Sequence, residues 1–217
     1  MNTAAKPDYR NRLGYQAGLL GGFALISAAL LIIGNLSTRA VIEERLDEDL
    51  RSSLERVVPA SLYTNKLLDN PLEIAEAQDP PVTVYRGIRN HQVSAVAFRV
   101  IGYGYAGKIE LILGLGSDGN VLGVRVLSHA ETPGLGDRIE ERKSDWILGF
   151  NGRSLENTTH TQWHVKKDGG DFDQFTGATI TPRGVVKAVH DGLDFYRQHR
   201  GELLALPHAG DDPAGEP

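Results

Sequence analysis

The chain has 217 residues, enough for one well-packed domain rather than two, and it has no cysteine. The missing thiols exclude disulfides, thiolate zinc sites, iron–sulfur ligation by this chain and a cysteine nucleophile. A formal charge of −5, with 24% charged residues and no basic face, argues against nucleic acid as a partner.

From Leu13 to Thr38 there is no charged residue, and the centre reads AGLLGGFALISAALLIIGNL. About 20 such residues cross a hydrocarbon core of roughly 30 Å. The rival is a cleavable leader with a small-residue site in ISAALL. Leaders carry a shorter apolar region, about 7–15 residues, and this run continues through Ile33. The sequence therefore predicts a cytoplasmic N-terminus over 1–12 and an uncleaved transmembrane helix over 13–36. Lys6, Arg10 and Arg12 precede the span against Asp8 alone, whereas Glu43 to Leu50 carries five acids and one arginine. Basic flanks stay cytoplasmic, so the rest should lie across the membrane, in the periplasm of a bacterium.

Ile42, Leu46, Leu50, Leu54 and Val57/Val58 recur at helical spacing up to Pro59 and predict a helical lead-in over 37–80. The expected domain covers 81–206. Strands are predicted at Val82 to Tyr85 and Gln92 to Gly102. A hairpin should join Lys108 to Leu115 with Val121 to Ser128 through Ser-Asp-Gly-Asn, and a further strand is expected over Gln162 to Lys167. The last element reads as a helix with Val185, Val186, Val189, Leu193 and Tyr196 on one face. No internal repeat is present, and the Pro/Gly/acid-rich tail over 207–217 is expected to be disordered. The fold class is α+β, an antiparallel sheet flanked by helices.

Two G-x-G-x-x-G matches, Gly102 to Gly107 and Gly114 to Gly119, lead into strands rather than helices, so neither is a dinucleotide site. His160 and His164 lack a nearby acid to complete a metal set and read as surface histidines; no metal site is expected. Asn157-Thr158-Thr159 matches a glycosylation acceptor by a pattern common by chance.

Two loops carry more. In SHAETPGLGDRIEER, Pro133, Gly134 and Gly136 force an irregular backbone with exposed amides beside Glu131 and Thr132. The plain alternative is a strand-to-helix turn with Asp137 as N-cap. In DFDQFTGATITPRGVVKAV, Thr181 followed by Pro182 predicts an N-cap and first helical position. Thr176 and Thr179 are then left over. Thr179 would lie near the positive end of the helix dipole, a favourable place for a phosphate.

DQFTGATITP resembles the flavinylation motif of the FMN-binding domain family, an Asp followed by Ser/Thr-Gly-Ala-Thr. The resemblance implies FMN esterified through its phosphate to Thr179, with Thr176, Gly177, Ala178 and Thr181 around it. The motif's Asp falls on Asp173, which would either present the acceptor hydroxyl or shape the loop as an Asx turn. ETPGLG resembles the family's second signature, which implies that Glu131, Thr132, Gly134 and Leu135 lie beside the flavin. Within that family the layout is similar to the G subunits of Rnf-type, ion-translocating electron-transport complexes. The C subunits of sodium-translocating NADH:quinone reductases are the alternative. Such a subunit would carry electrons without independent catalytic activity, beside other Rnf subunits, after a flavin transferase had loaded it from FAD. Ferredoxin and NAD should bind elsewhere, and a span without ionisable residues suggests no ion path. A cofactor-free membrane-anchored sensor or assembly module is the reading from another class.

Overall fold

The computed structural model describes residues 13–69, 71–75 and 81–206. The basic N-terminus over 1–12 and the tail over 207–217 lie outside the described residues. The first long helix, α1, runs Leu13–Val57. The chain divides into two compact units between Glu48 and Asp49.

In the first unit, Leu13–Arg39 is long and apolar enough to cross a membrane, with a mean hydropathy of 2.2. Its large side chains point outward on all sides, Leu20, Leu25 and Leu31 being more than 70% exposed. Such a helix has no polar face to offer water, which fits a hydrocarbon surround. Near its end two hydroxyls bond within the helix: Ser37 Oγ donates to the Ile33 carbonyl at 2.8 Å and Thr38 Oγ1 to Gly34 at 2.9 Å.

The second unit is built on a five-stranded antiparallel meander. Its strands are β1 (Leu72–Ile74), β2 (Val82–Arg89), β3 (Gln92–Tyr103), β4 (Lys108–Gly116) and β5 (Val121–Ser128), each beside its sequence neighbour. Asn90 and His91, both with φ above +50°, close the β2–β3 hairpin as a two-residue turn whose twist suits the strands. β4 is buried almost throughout because both faces of the sheet are covered. One face, with Tyr85, Ala95, Ala97 and Ile112, packs on Leu50, Leu54, Val57 and Val58. Gly114 and Gly123 are cross-strand partners there. A Cβ on either would come within 2.5–3.0 Å of Val57 backbone, so the pair makes room for the end of α1.

The other face receives α2 (Ile180–Leu203) through Val185, Val186, Val189, Leu193 and Tyr196, all buried as their spacing predicts. A Cβ on Gly102 would lie 2.7 Å from the Gly184 carbonyl, and one on Gly184 would overlap the Tyr103 carbonyl. The two glycines bring helix and strand backbones into contact near the start of α2. At the far end Tyr196 Oη and Arg200 Nη2 donate to the Ser117 carbonyl at 2.9 and 3.0 Å.

Three expectations are corrected. The helical lead-in over 37–80 ends at Val57, followed by a 3-10 turn at Ala60–Leu62 and by β1. β1 has only three residues, too few for alternation to register. Ile42 of the expected apolar face is 53% exposed, whereas Leu50 and Leu54 are buried. The segment Gln162 to Lys167 is not a strand. Trp163 turns back on the Thr159 carbonyl, Val165 makes one bridge to Phe172, and Lys166–Asp168 is a 3-10 turn. Trp163 and Val165 both enter the core from this irregular path, and their alternate burial imitates a strand. Asp137 is not an N-cap either: it lies inside a 3-10 turn, Gly136–Ile139, buried against Lys143.

Candidate functional site

The segment leading into α2 is held from beneath by aromatic rings. Phe150 and Phe172 stack at 4.5 Å, Trp163 lies 5.6 Å from Phe172, and Trp146 meets Phe175 edge-on at 5.1 Å. Trp146 Nε1 also donates to the Asp173 carbonyl at 2.7 Å. With Phe175 so fixed, the Ala178 amide donates back to its carbonyl at 3.1 Å and closes a four-residue turn. Gly177 takes φ +83° at the third position, where a side chain would be strained. Thr176 and Gly177 are exposed on this turn, and Ala178 and Thr179 are half-buried.

α2 begins immediately afterwards, and here the expected cap is displaced. Thr179 occupies the N-cap position and makes no side-chain capping bond. Thr181 is the second helical residue, fully buried, and its hydroxyl donates to Glu131 Oε2 at 2.6 Å. A partner fifty residues upstream takes the hydroxyl that local sequence assigns to capping. Pro182 becomes the third helical residue, still in the first turn where its missing N–H forfeits no intrahelical bond.

The loop after β5 meets this helix start. The Leu135 amide donates to the Thr132 carbonyl at 3.1 Å, with Pro133 second and Gly134 third at φ +79°, the arrangement of a type II turn. Leu135, 43% exposed, reaches over Gly177: a Cβ there would sit 3.5 Å from Leu135 Cδ2. The two glycine turns therefore lie side by side. Glu131 is buried beneath, Oε1 accepting the Ala106 amide at 2.9 Å and its own amide donating to His129 Nδ1 at 3.0 Å. Behind the loop, Lys143 Nζ lies 2.6 Å from Asp137 Oδ2 and 2.9 Å from Glu140 Oε1. Burial pushes the Glu140 carboxyl up, but hydrogen bonds from Lys143, Arg142 and His129 outweigh it and hold the group at about 2. The Lys143 hydrogen bond, then the Gly134 amide, holds Asp137 below the usual carboxylate range.

The structure thus gathers Thr176 to Thr181 and Glu131 to Leu135 into one place. Asp173 is turned outward and paired with Lys166 at 2.6 Å. His160 and His164 are exposed, with His190 of α2 5.4 Å from His160 between ring centroids. Among the described residues no cluster is arranged to hold a metal ion. Sequence reasoning missed Trp146, Phe172 and Phe175, which orient the turn; the aromatic spacing of DFDQF was the available signal.

Residues 104–194 match the family described as FMN-binding domain, a segment that holds both turns, the Glu131 contacts and most of α2. The match makes this α+β domain, which follows one apolar helix, a member of the FMN-binding class. A protein of Cereibacter sphaeroides, named as the G subunit of an ion-translocating oxidoreductase complex, is 47% identical over 94% of this chain and 96% of its own length. Its namesake in Stutzerimonas stutzeri is 46% identical over 86% and 82%, respectively. The chain belongs to this family of G subunits. Among solved structures, Shewanella oneidensis NqrC is similar at a TM-score of 0.45 and 22% identity, covering 70% of this chain and 73% of that one.

Proposed function

We propose that this chain is a membrane-anchored, electron-carrying subunit of an ion-translocating oxidoreductase complex, with FMN joined through its phosphate to Thr179. The observation that carries the reading is Thr179 at the start of α2, its hydroxyl uncommitted to capping. The first-turn amides of a helix have no intrahelical acceptor, and the dipole favours an anion there, so a phosphodiester fits this position. Leu135 and Ile180, 43% and 49% exposed, offer apolar surface beside it. Thr132, Gly134, Thr176, Gly177 and Ala178 form the rim, while Glu131 and Thr181 act from below.

Attachment needs a donor such as FAD and a separate flavin transferase. The Thr179 Oγ–phosphorus bond forms as the donor's pyrophosphate P–O bond breaks; AMP leaves and the hydroxyl proton is released. Bound FMN supplies reversible electron uptake, and its potential is set by noncovalent surroundings because the link spares the ring. The chain's own residues hold and orient the group and perform no further chemistry. Electrons pass to and from other subunits of the complex. The basic residues before the span favour an orientation with the flavin domain on the periplasmic side of a bacterial inner membrane.

Full-length chain co-expressed with its transferase should carry one FMN adduct by intact mass and fluoresce as a denatured gel band. Thr179→Ala should lose both signals while staying folded. An adduct retained in that variant would sink the assignment.

A further inference from the structure

We propose that Glu131 is a positioning residue: by capturing the Thr181 hydroxyl it sets where α2 begins, and so places Thr179 beside the first-turn amides, where it receives the flavin phosphoryl group. The proposal rests on the reading above for the role of Thr179.

Thr181-Pro182 is a strong local start signal, since threonine caps well and proline suits the first helical position. A helix obeying it would begin at Pro182 and leave Thr179 two residues outside, away from the first-turn amides. The observed helix begins at Ile180. What differs is Glu131, which takes the Thr181 hydroxyl at 2.6 Å in a buried setting. Both carboxyl oxygens are engaged, one with the Thr181 hydroxyl and one with the Ala106 amide at 2.9 Å. Held there, Thr181 has the backbone of a helical residue and cannot take the extended conformation of an N-cap, so the distant contact and the local cap exclude each other.

The carboxylate is itself held in place. Its backbone amide donates to His129 Nδ1 at 3.0 Å, and His129 Nε2 lies 3.1 Å from Glu140 Oε1. Gly104 and Gly136 flank it, and a Cβ on either would overlap a carboxylate oxygen. The tip of the β3–β4 hairpin, the loop after β5 and the start of α2 all close on this one side chain.

The test uses full-length chain in membranes with its transferase and follows the rate of FMN loading. Selective 13C-threonine labelling reads the backbone state at positions 179 and 181 without reference to flavin. Glu131→Gln keeps the size but puts a donating amide nitrogen where one of the two oxygens stood, so Thr181 and Ala106 can no longer both donate to this side chain and the hold on Thr181 weakens. Loading should slow roughly tenfold, the scale of one lost buried hydrogen bond, and the Thr181 shifts should move from helical towards cap values. Adding Thr181→Val should restore much of the loading, because valine cannot cap and the early helix start returns. Leu193→Ala, a core variant remote from the site, controls for lost stability. The proposal is overturned if Glu131→Gln loads like the parent, if loading falls only in step with melting temperature as in Leu193→Ala, or if Thr181→Val brings no recovery. Should the parent chain take no flavin on Thr179 while the threonine shifts still move, the electron-carrier reading fails and the helix-start assignment stands.

Discussion

Lys143 bridges two carboxylates at the base of the loop after β5, and that arrangement has a pH signature. Glu140, normally near 4.5, is held at about 2 in the folded chain, burial opposing and the Lys143, Arg142 and His129 hydrogen bonds prevailing. Asp137 is lowered too, chiefly by its Lys143 hydrogen bond. A group with a depressed folded pKa binds protons more readily in the unfolded chain, so its stabilisation is complete above the unfolded value and disappears as pH falls through the folded one. The contribution of Glu140 should therefore be intact above about pH 4.5 and lost progressively towards pH 2. Denaturant unfolding of the full-length chain across that window should show a decline, and the decline should be shallower in Lys143→Met, where less depression remains to be lost. Identical pH slopes in the two proteins would show that Lys143 is not what holds these carboxyls down.

At the level of elements, the close seat of α2 on β3 depends on Gly184, where a Cβ would overlap the Tyr103 carbonyl. Alanine in a helix interior gains up to about 1 kcal/mol over glycine by propensity. Forcing backbone apart in a packed core costs about 1–3 kcal/mol or more, so the clash should win. Gly184→Ala is expected to lower the melting temperature by several degrees, at about 2–4 °C per kcal/mol for a domain of this size. A rise instead would mean the crossing has slack. The apolar face of α2 was legible in the sequence because it keeps one period over several turns, and β3, β4 and β5 because their apolar, β-branched runs are bounded by turn residues. The segment 159–175 was not, because its rings enter the core one by one from turns, without a period. The site was legible as two motifs, but not their junction. Nothing near Thr181 in the sequence indicates that its hydroxyl belongs to Glu131, and that contact moved the helix start.

For the molecule as a whole, the charge step across Leu13–Arg39 makes a testable statement about sidedness. A C-terminal alkaline phosphatase fusion should be active and a cytoplasmic reporter silent; the reverse pattern would overturn the exported orientation. The order of the meander also bears on how the chain is made. Every strand pairs with the strand before it, so the sheet grows by closing short loops, each losing little chain entropy and quick to form. α2 must return across the finished sheet, to Phe98, Val100 and Leu113 near Gly192, and it is the last described element to leave the ribosome. The threonine that opens α2 gains its final setting only when that helix docks. A nascent or misfolded chain presents the same letters of the motif but not the same surface, so attachment at Thr179, as proposed above, would serve as an inspection stamp, spending a flavin only on chains that have finished folding.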